Sequence, residues 1–161
     1  MDSKNKIDRT QEADNVVNGY VDKIKKHIGG ELTADNISML NSDQITLLGW
    51  SYLHDEVMEG GYIQLIYNGY GEFIFRNPFA KAMRDWGVAT LYTHVNHCRK
   101  YYNKYHEAIE RDMSDEDFMA LYEQMPEFDT FDDEFIVNEE EWQQQIADYV
   151  LANSDNFEVN D

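Results

Sequence analysis

Apolar positions recur at helical spacing from one end of the chain to the other. Val16, Val17, Tyr20, Val21, Ile24 and Ile28 follow a 3.6-residue period. Lys23, Lys25 and Lys26 stand where the carbonyl end of a helix favours cations, and Gly29-Gly30 is the stop signal. After a linker through Ser38, Asn41 with Gln44 three residues on reads as a capping box. The helix it opens carries Ile45, Leu47, Leu48, Trp50, Tyr52, Leu53, Val57 and Met58, which cover well over half its circumference and predict a buried central helix. Gly60-Gly61 breaks that helix, and a short apolar helix from Tyr62 to Tyr67 ends at Asn68-Gly69.

Asn77-Pro78 predicts a cap with proline at the first helical position, and Phe79, Met83 and Trp86 form the inward stripe behind it. Val88, Leu91, Val95, Cys98, Tyr102, Tyr105 and Ile109 then alternate by three and four, the cleanest helix of the chain. Ser114 caps a helix with Phe118, Leu121, Tyr122 and Met125 inward, which Pro126 ends. Residues 126–137 show no convincing period and are expected to be a surface loop. Asn138 is expected to cap a last helix carrying Trp142, Ile146, Tyr149 and Val150, with a frayed tail from Ser154. With no strand pattern, the reading is all-α: six or seven helices in one compact bundle-like domain over residues 1–161. Within it, residues 1–40 are an N-terminal helix and linker, 41–157 the helical core, and 158–161 a frayed end.

Composition supports a folded domain, since 42% apolar and 14% aromatic residues are ample for a core. The charged N-terminus predicts no signal peptide, and no apolar run approaches the ~18 residues of a membrane span. A single cysteine, Cys98, forbids an internal disulfide and agrees with a cytoplasmic location. Charge changes the picture more. Of the net −19, residues 112–161 hold seventeen Asp or Glu and no Lys or Arg. Such a field repels nucleic acid and anionic membranes and attracts basic proteins.

Candidate chemistry is sparse. His94 and His97 lie one turn apart beside Cys98, but no HExxH occurs and a third ligand is missing, so no metal and no cofactor are expected. The histidines are expected on the helix flank beside its apolar stripe. His54-Asp55-Glu56 with Glu59 offers an acid/base cluster without a nucleophile or oxyanion donor, and Cys98 reads as a core residue. No catalytic residue is assigned. The acids remain. Asp115-Glu116-Asp117 and Glu139-Glu140-Glu141 both read as first-turn acids, stabilised by ~0.3–1 kcal/mol each through the helix dipole. Glu127, Asp129, Asp132, Asp133 and Glu134, set among Phe128, Phe131 and Phe135, have no such reason and predict an acidic surface with apolar anchors. Helical carboxylates three or four apart stand ~5–6 Å from each other, on the scale of backbone phosphates.

The stretch from Glu56 to Gly71, with Gly60, Gly61, Tyr62, Gln64, Tyr67, Asn68 and Gly71, resembles the signature of a bacterial domain-of-unknown-function family. That signature runs roughly Val-x-Asn-Gly-Gly-Phe-x-Gln-Phe-Phe-x-Asn-x-x-Gly, and the family includes an acidic DNA-mimic protein (DNA-mimic protein nineteen). The resemblance extends over about Asn41 to Phe157, through the Trp86-Gly87-Val88 helix end, a long helix, an acidic segment and a last helix. The chain departs at Glu59, where the family has asparagine, and at Leu65-Ile66, where aromatic pairs are usual. The glycines allow a sharp junction, and Gln64 and Asn68 are expected to satisfy the freed backbone groups. The resemblance implies an all-helical fold and an acidic surface that occupies the DNA site of a basic regulator without binding DNA itself. A homodimer is left open. The alternatives are a scaffold whose acids are solvated or dock on its own Arg99, Lys100, Lys104 and Arg111, and a metal-dependent hydrolase.

Overall fold

A computed structural model describes residues 3–160, with side chains from Thr10 onward. Helix α1 (Ser3–Ile28) buries Val17, Val21, Ile24 and Ile28 of the predicted stripe together with Ala13, while Val16 and Tyr20 are partly buried at its edge. It ends at Gly29 and Gly30, both at positive φ, whose amides bond the carbonyls of Lys26 and Lys25. The capping box opens α2 (Ser42–Tyr67) as expected. Gln44 donates its backbone N–H to Asn41 Oδ1 at 2.8 Å, and Asn41 N–H returns to Gln44 Oε1 at 3.0 Å. α2 is the central helix, with Leu47, Leu48, Leu53 and Leu65 all 0% exposed.

Five further helices wrap it: α3 (Gly71–Phe75), α4 (Phe79–Asp85), α5 (Ala89–Ile109), α6 (Asp115–Gln124) and α7 (Glu127–Ala152). The described residues contain no strand, and none of their helices is long and apolar enough to cross a membrane. Ser114 caps α6 through the Asp117 N–H, as its sequence predicts. α4 starts differently: Asn77 reaches back to the Glu72 carbonyl, and Pro78, with ψ at 31°, stands outside the helix as its first flanking residue. Asn77 is therefore not a cap.

Two larger corrections concern the C-terminal third. Residues 126–137 are not a loop. Pro126 flanks α7 and residues 127–137 form its first part, and the helix buries Phe128, Phe135, Trp142, Ile146 and Val150 on one face. The apolar period was present, but the acids between its members and the cap-like Asn138 hid it. Asn138 lies inside the helix, where its amide bonds the Glu134 carbonyl at 2.8 Å. Glu139-Glu140-Glu141 are consequently mid-helix and gain nothing from the N-terminal dipole.

The tail is not frayed either. Ser154–Phe157 forms a 3-10 turn and inserts Phe157, 0% exposed, among Tyr20, Trp86 and Tyr149. Asn41 and Gln44 donate their side-chain amides to the carbonyls of Asn156 and Glu158. The capping residues of α2 thus also clamp the far end of the chain. Of the stretch 158–161, Glu158 is bonded in this way, Val159 packs against the core, and Asp161 lies outside the described residues.

Candidate functional site

The glycine pair works as a bend. Gly61 has φ 77° and ψ −174°, so α2 turns there and its ladder of hydrogen bonds is interrupted. The freed groups are met from outside the helix. Tyr62 N–H donates to Asp132 Oδ1 of α7 at 2.9 Å, and the Gly60 carbonyl accepts the Tyr122 hydroxyl of α6 at 2.7 Å. Gln64 and Asn68 do not perform this task, contrary to expectation. Both donate their amides to the Glu56 carboxylate, at 2.8 and 2.9 Å, and so brace the two arms of α2 against each other. The other motif residues serve packing. Tyr67 lies against Phe118, and a Cβ at Gly71 would meet the Tyr102 ring at 2.5 Å.

Beneath the bend, Tyr62 Oη and His94 Nε2 are 2.7 Å apart, and His94 Nδ1 lies 2.5 Å from Glu134 Oε1. His94 is 1% exposed rather than on the helix flank, while His97 faces solvent. Burial lowers the His94 pKa despite the Glu134 carboxylate, so the ring is neutral near pH 7. It then donates Nδ1–H to Glu134 and accepts the Tyr62 hydroxyl at Nε2. Burial also keeps the Tyr62 phenol and the Cys98 thiol protonated, well above their ordinary values. The connectivity resembles a proton relay, but Tyr62 is 0% exposed and no substrate can reach it. Both ring nitrogens of His94 are engaged, and the described residues hold no group of three His, Cys, Asp or Glu placed for a metal.

Asp132 is half-buried against the bend. Desolvation raises its pKa from 3.8 to about 6, opposed by the Tyr62 N–H and reinforced by Asp129 and Asp133. Because the folded value exceeds the unfolded one, the folded state binds the extra proton. Stability contributed by this residue is complete below about pH 4 and is lost as pH rises through 6. Asp132→Asn keeps an oxygen for Tyr62 N–H and carries no charge. It should be more stable than the parent at pH 7.5, by about 2 kcal/mol once partial exposure is allowed for, and equal to it near pH 4. Asp132→Ala orphans the amide and should lose about 1–3 kcal/mol near pH 4, a deficit that shrinks toward zero by pH 7.5 because the parent itself weakens as Asp132 ionises. Urea titrations at the two pH values measure both. An amide variant that follows the parent at each pH would refute this account.

The remaining acids fall into distinct settings. Glu127 accepts the Tyr105 hydroxyl at 2.5 Å and pairs with Lys104 at 3.3 Å. Glu139 pairs with His54 at 2.8 Å, at the edge of a cleft of about 240 Å³ between α1, α2 and α7 that Asp14, Asp55 and Glu140 also line. Burial opposes protonation of His54, but its bonds to Asp55 and Glu139 outweigh burial and raise its pKa. The expected acid/base cluster on α2 is thereby divided, since Glu56 is held by Gln64 and Asn68 and Glu59 faces solvent.

Asp115, Glu116, Asp117, Asp129, Asp133, Glu134, Glu140 and Glu141 are exposed. Among the described residues, Glu127 is the one acid of residues 112–160 that a Lys or Arg neutralises. Arg99, a candidate for such pairing, instead donates to the Phe75 carbonyl at 2.7 Å and to Asn96. Sequence reading missed the inward roles of Asp132 and Glu134. Their signal was the position of Asp132 on the apolar stripe, visible only when 126–137 is read as helix.

Comparison with known proteins adds two findings. The sequence model of the DMP19-like protein family matches residues 38–153. The chain is also 34% identical over 125 residues to the DNA mimic protein DMP19 of Neisseria meningitidis serogroup B (strain ATCC BAA-335 / MC58), covering 76% of this chain and 75% of that protein.

Proposed function

From the membership of this chain in the DMP19-like protein family, we propose that it is a non-enzymatic acidic binding protein that occupies the DNA site of a basic, DNA-binding partner. One observation supports the reading: α6 and α7 turn a set of carboxylates to solvent, and among the described residues the Lys104–Glu127 pair is the one Lys or Arg contact they make. The carboxylates of α7 stand on a helix whose inner face, from Phe128 to Val150, is buried in the core, so that part of the array has a rigid support, while α6 is held by Leu121 and by the Tyr122 bond to the Gly60 carbonyl. A rigid array presents charge to a partner without the entropy cost of ordering flexible side-chain supports. Of the two forms of the scaffold alternative, docking of the acids on the basic face of α5 has one described pair, Lys104–Glu127, in its favour, and a merely solvated acidic face is separated from a binding surface by the test below.

The test is competition. A partner retained from host lysate should be basic, should be released by salt, and should be displaced by duplex DNA, while the chain itself binds no DNA. Asp129→Asn, Asp133→Asn, Glu140→Gln and Glu141→Gln together should weaken that complex about 10–100-fold, chiefly through slower association, and leave the melting temperature within a few degrees. Asp132 is excluded from this set because its carboxylate supports the bend. The reading fails if the set binds unchanged, or if the retained partner is acidic and indifferent to salt.

A further inference from the structure

Ile136 and Val137, in the middle of α7, are 53% and 80% exposed. Neither residue type favours an exposed helix, since β-branched side chains lose rotamer freedom there without gaining burial. Isolated surface apolar residues need no explanation, but these two are adjacent and have a defined setting. Helical spacing places Asp133 one turn before both of them and Glu140 one turn after, with Glu141 also one turn after Val137. All three acids are exposed, and α7 carries no Lys or Arg. The pair is an apolar contact bracketed along its own helix by carboxylates that, among the described residues, pair with no Lys or Arg.

We propose that Ile136 and Val137 form the central apolar contact of a docking surface for a basic protein, with Asp133, Glu140 and Glu141 pairing with its Lys or Arg side chains. The proposal rests on the binding function above and narrows the partner. A uniform polycation would satisfy the acids but leave the aliphatic pair wet. The surface fits a partner that presents an apolar side chain between cationic ones. A second copy of this chain is a poor occupant, because its equivalent face would bring carboxylate against carboxylate.

Two synthetic helical peptides of equal positive charge serve as probes, one with leucines along one face and one with alanines at the same positions. Binding to the intact chain is followed by fluorescence anisotropy at low salt. The leucine peptide should bind at least about tenfold more tightly. Ile136→Ser with Val137→Ser should bring it down to the alanine peptide and leave the alanine peptide unchanged. Asp133→Asn with Glu140→Gln should weaken both. Both sites are exposed, and circular dichroism checks that each variant is folded. If the serine variant still prefers the leucine peptide, the pair is not the contact and the proposal is overturned. Equal, salt-sensitive binding of both peptides to the parent overturns it too, while sparing the acidic binding function. If neither peptide binds, both readings fall. A dimer in sedimentation of the parent that the serine variant dissolves would assign the face to self-association and also overturn the proposal.

Discussion

Gly61→Val should lower folding stability by about 3–4 kcal/mol, which would shift the thermal midpoint by roughly 10 °C or more for a domain of this size. Two costs combine. A backbone with φ 77° and ψ −174° lies where side-chain-bearing residues are strained by about 1–3 kcal/mol. A Cβ would also stand 2.4 Å from Asp132 Oδ2. Asp132 cannot yield freely, because its other oxygen accepts the Tyr62 N–H. The two residues are therefore coupled. Gly61→Ala and Asp132→Ala should be non-additive, the double variant losing less than the sum, since removing the carboxylate relieves the clash. Gly60→Ala should cost less than Gly61→Ala. Gly60 has no unusual φ, and its Cβ would meet the Gln64 side chain, whose amide end can turn away at the expense of its bond to Glu56 while Gln64 Cβ, at 2.9 Å, must shift slightly with the helix. A melting curve for Gly61→Val that overlays the parent would show that the bend is not held by these contacts.

Phe157→Ala is the second large effect, a loss of about 3–5 kcal/mol. The ring is 0% exposed although only four residues follow it in the sequence, and it fills the space between Tyr20 of α1, Trp86 after α4 and Tyr149 of α7. Two of those neighbours, Trp86 and Tyr149, are stacked on each other at 4.4 Å, which resists their collapse into the vacated volume. Ending the chain at Asn153 should cost at least as much. It removes the ring and the Asn156 and Glu158 carbonyls that Asn41 and Gln44 bond. Leu151→Ala is the control, since a side chain 57% exposed should change stability by no more than about half a kcal/mol. Urea denaturation of the three variants side by side decides the matter. A Phe157→Ala transition coincident with the parent would mean that the tail is not part of the core.

Much of the fold is legible in the residues because its signals are local. The stripe of α1, the Asn41–Gln44 capping box, the Gly60-Gly61 break and the Ser114 cap each depend on residues within four positions of one another. Short-range sterics and hydrogen bonds decide such features before any long-range contact forms. The excess of acid in the last fifty residues is likewise a property of composition, and the stretch from Glu56 to Gly71 carries the family likeness. What remained hidden depends on partners far along the chain. Whether 126–137 is loop or helix turns on Phe128 and Phe135 finding a face to bury against, and propensity alone, with its acids and β-branched residues, argues the other way. Asp132 differs from the exposed Asp133 only by its place on the stripe of Phe128 and Phe135, which has meaning once the segment is helical, and the bend seventy residues earlier takes its acceptor from Asp132. His94 and Phe157 are buried for the same reason. A side chain's environment is set by what lies opposite it, and opposition across a helical bundle is decided by the packing of the whole rather than by neighbours in the chain.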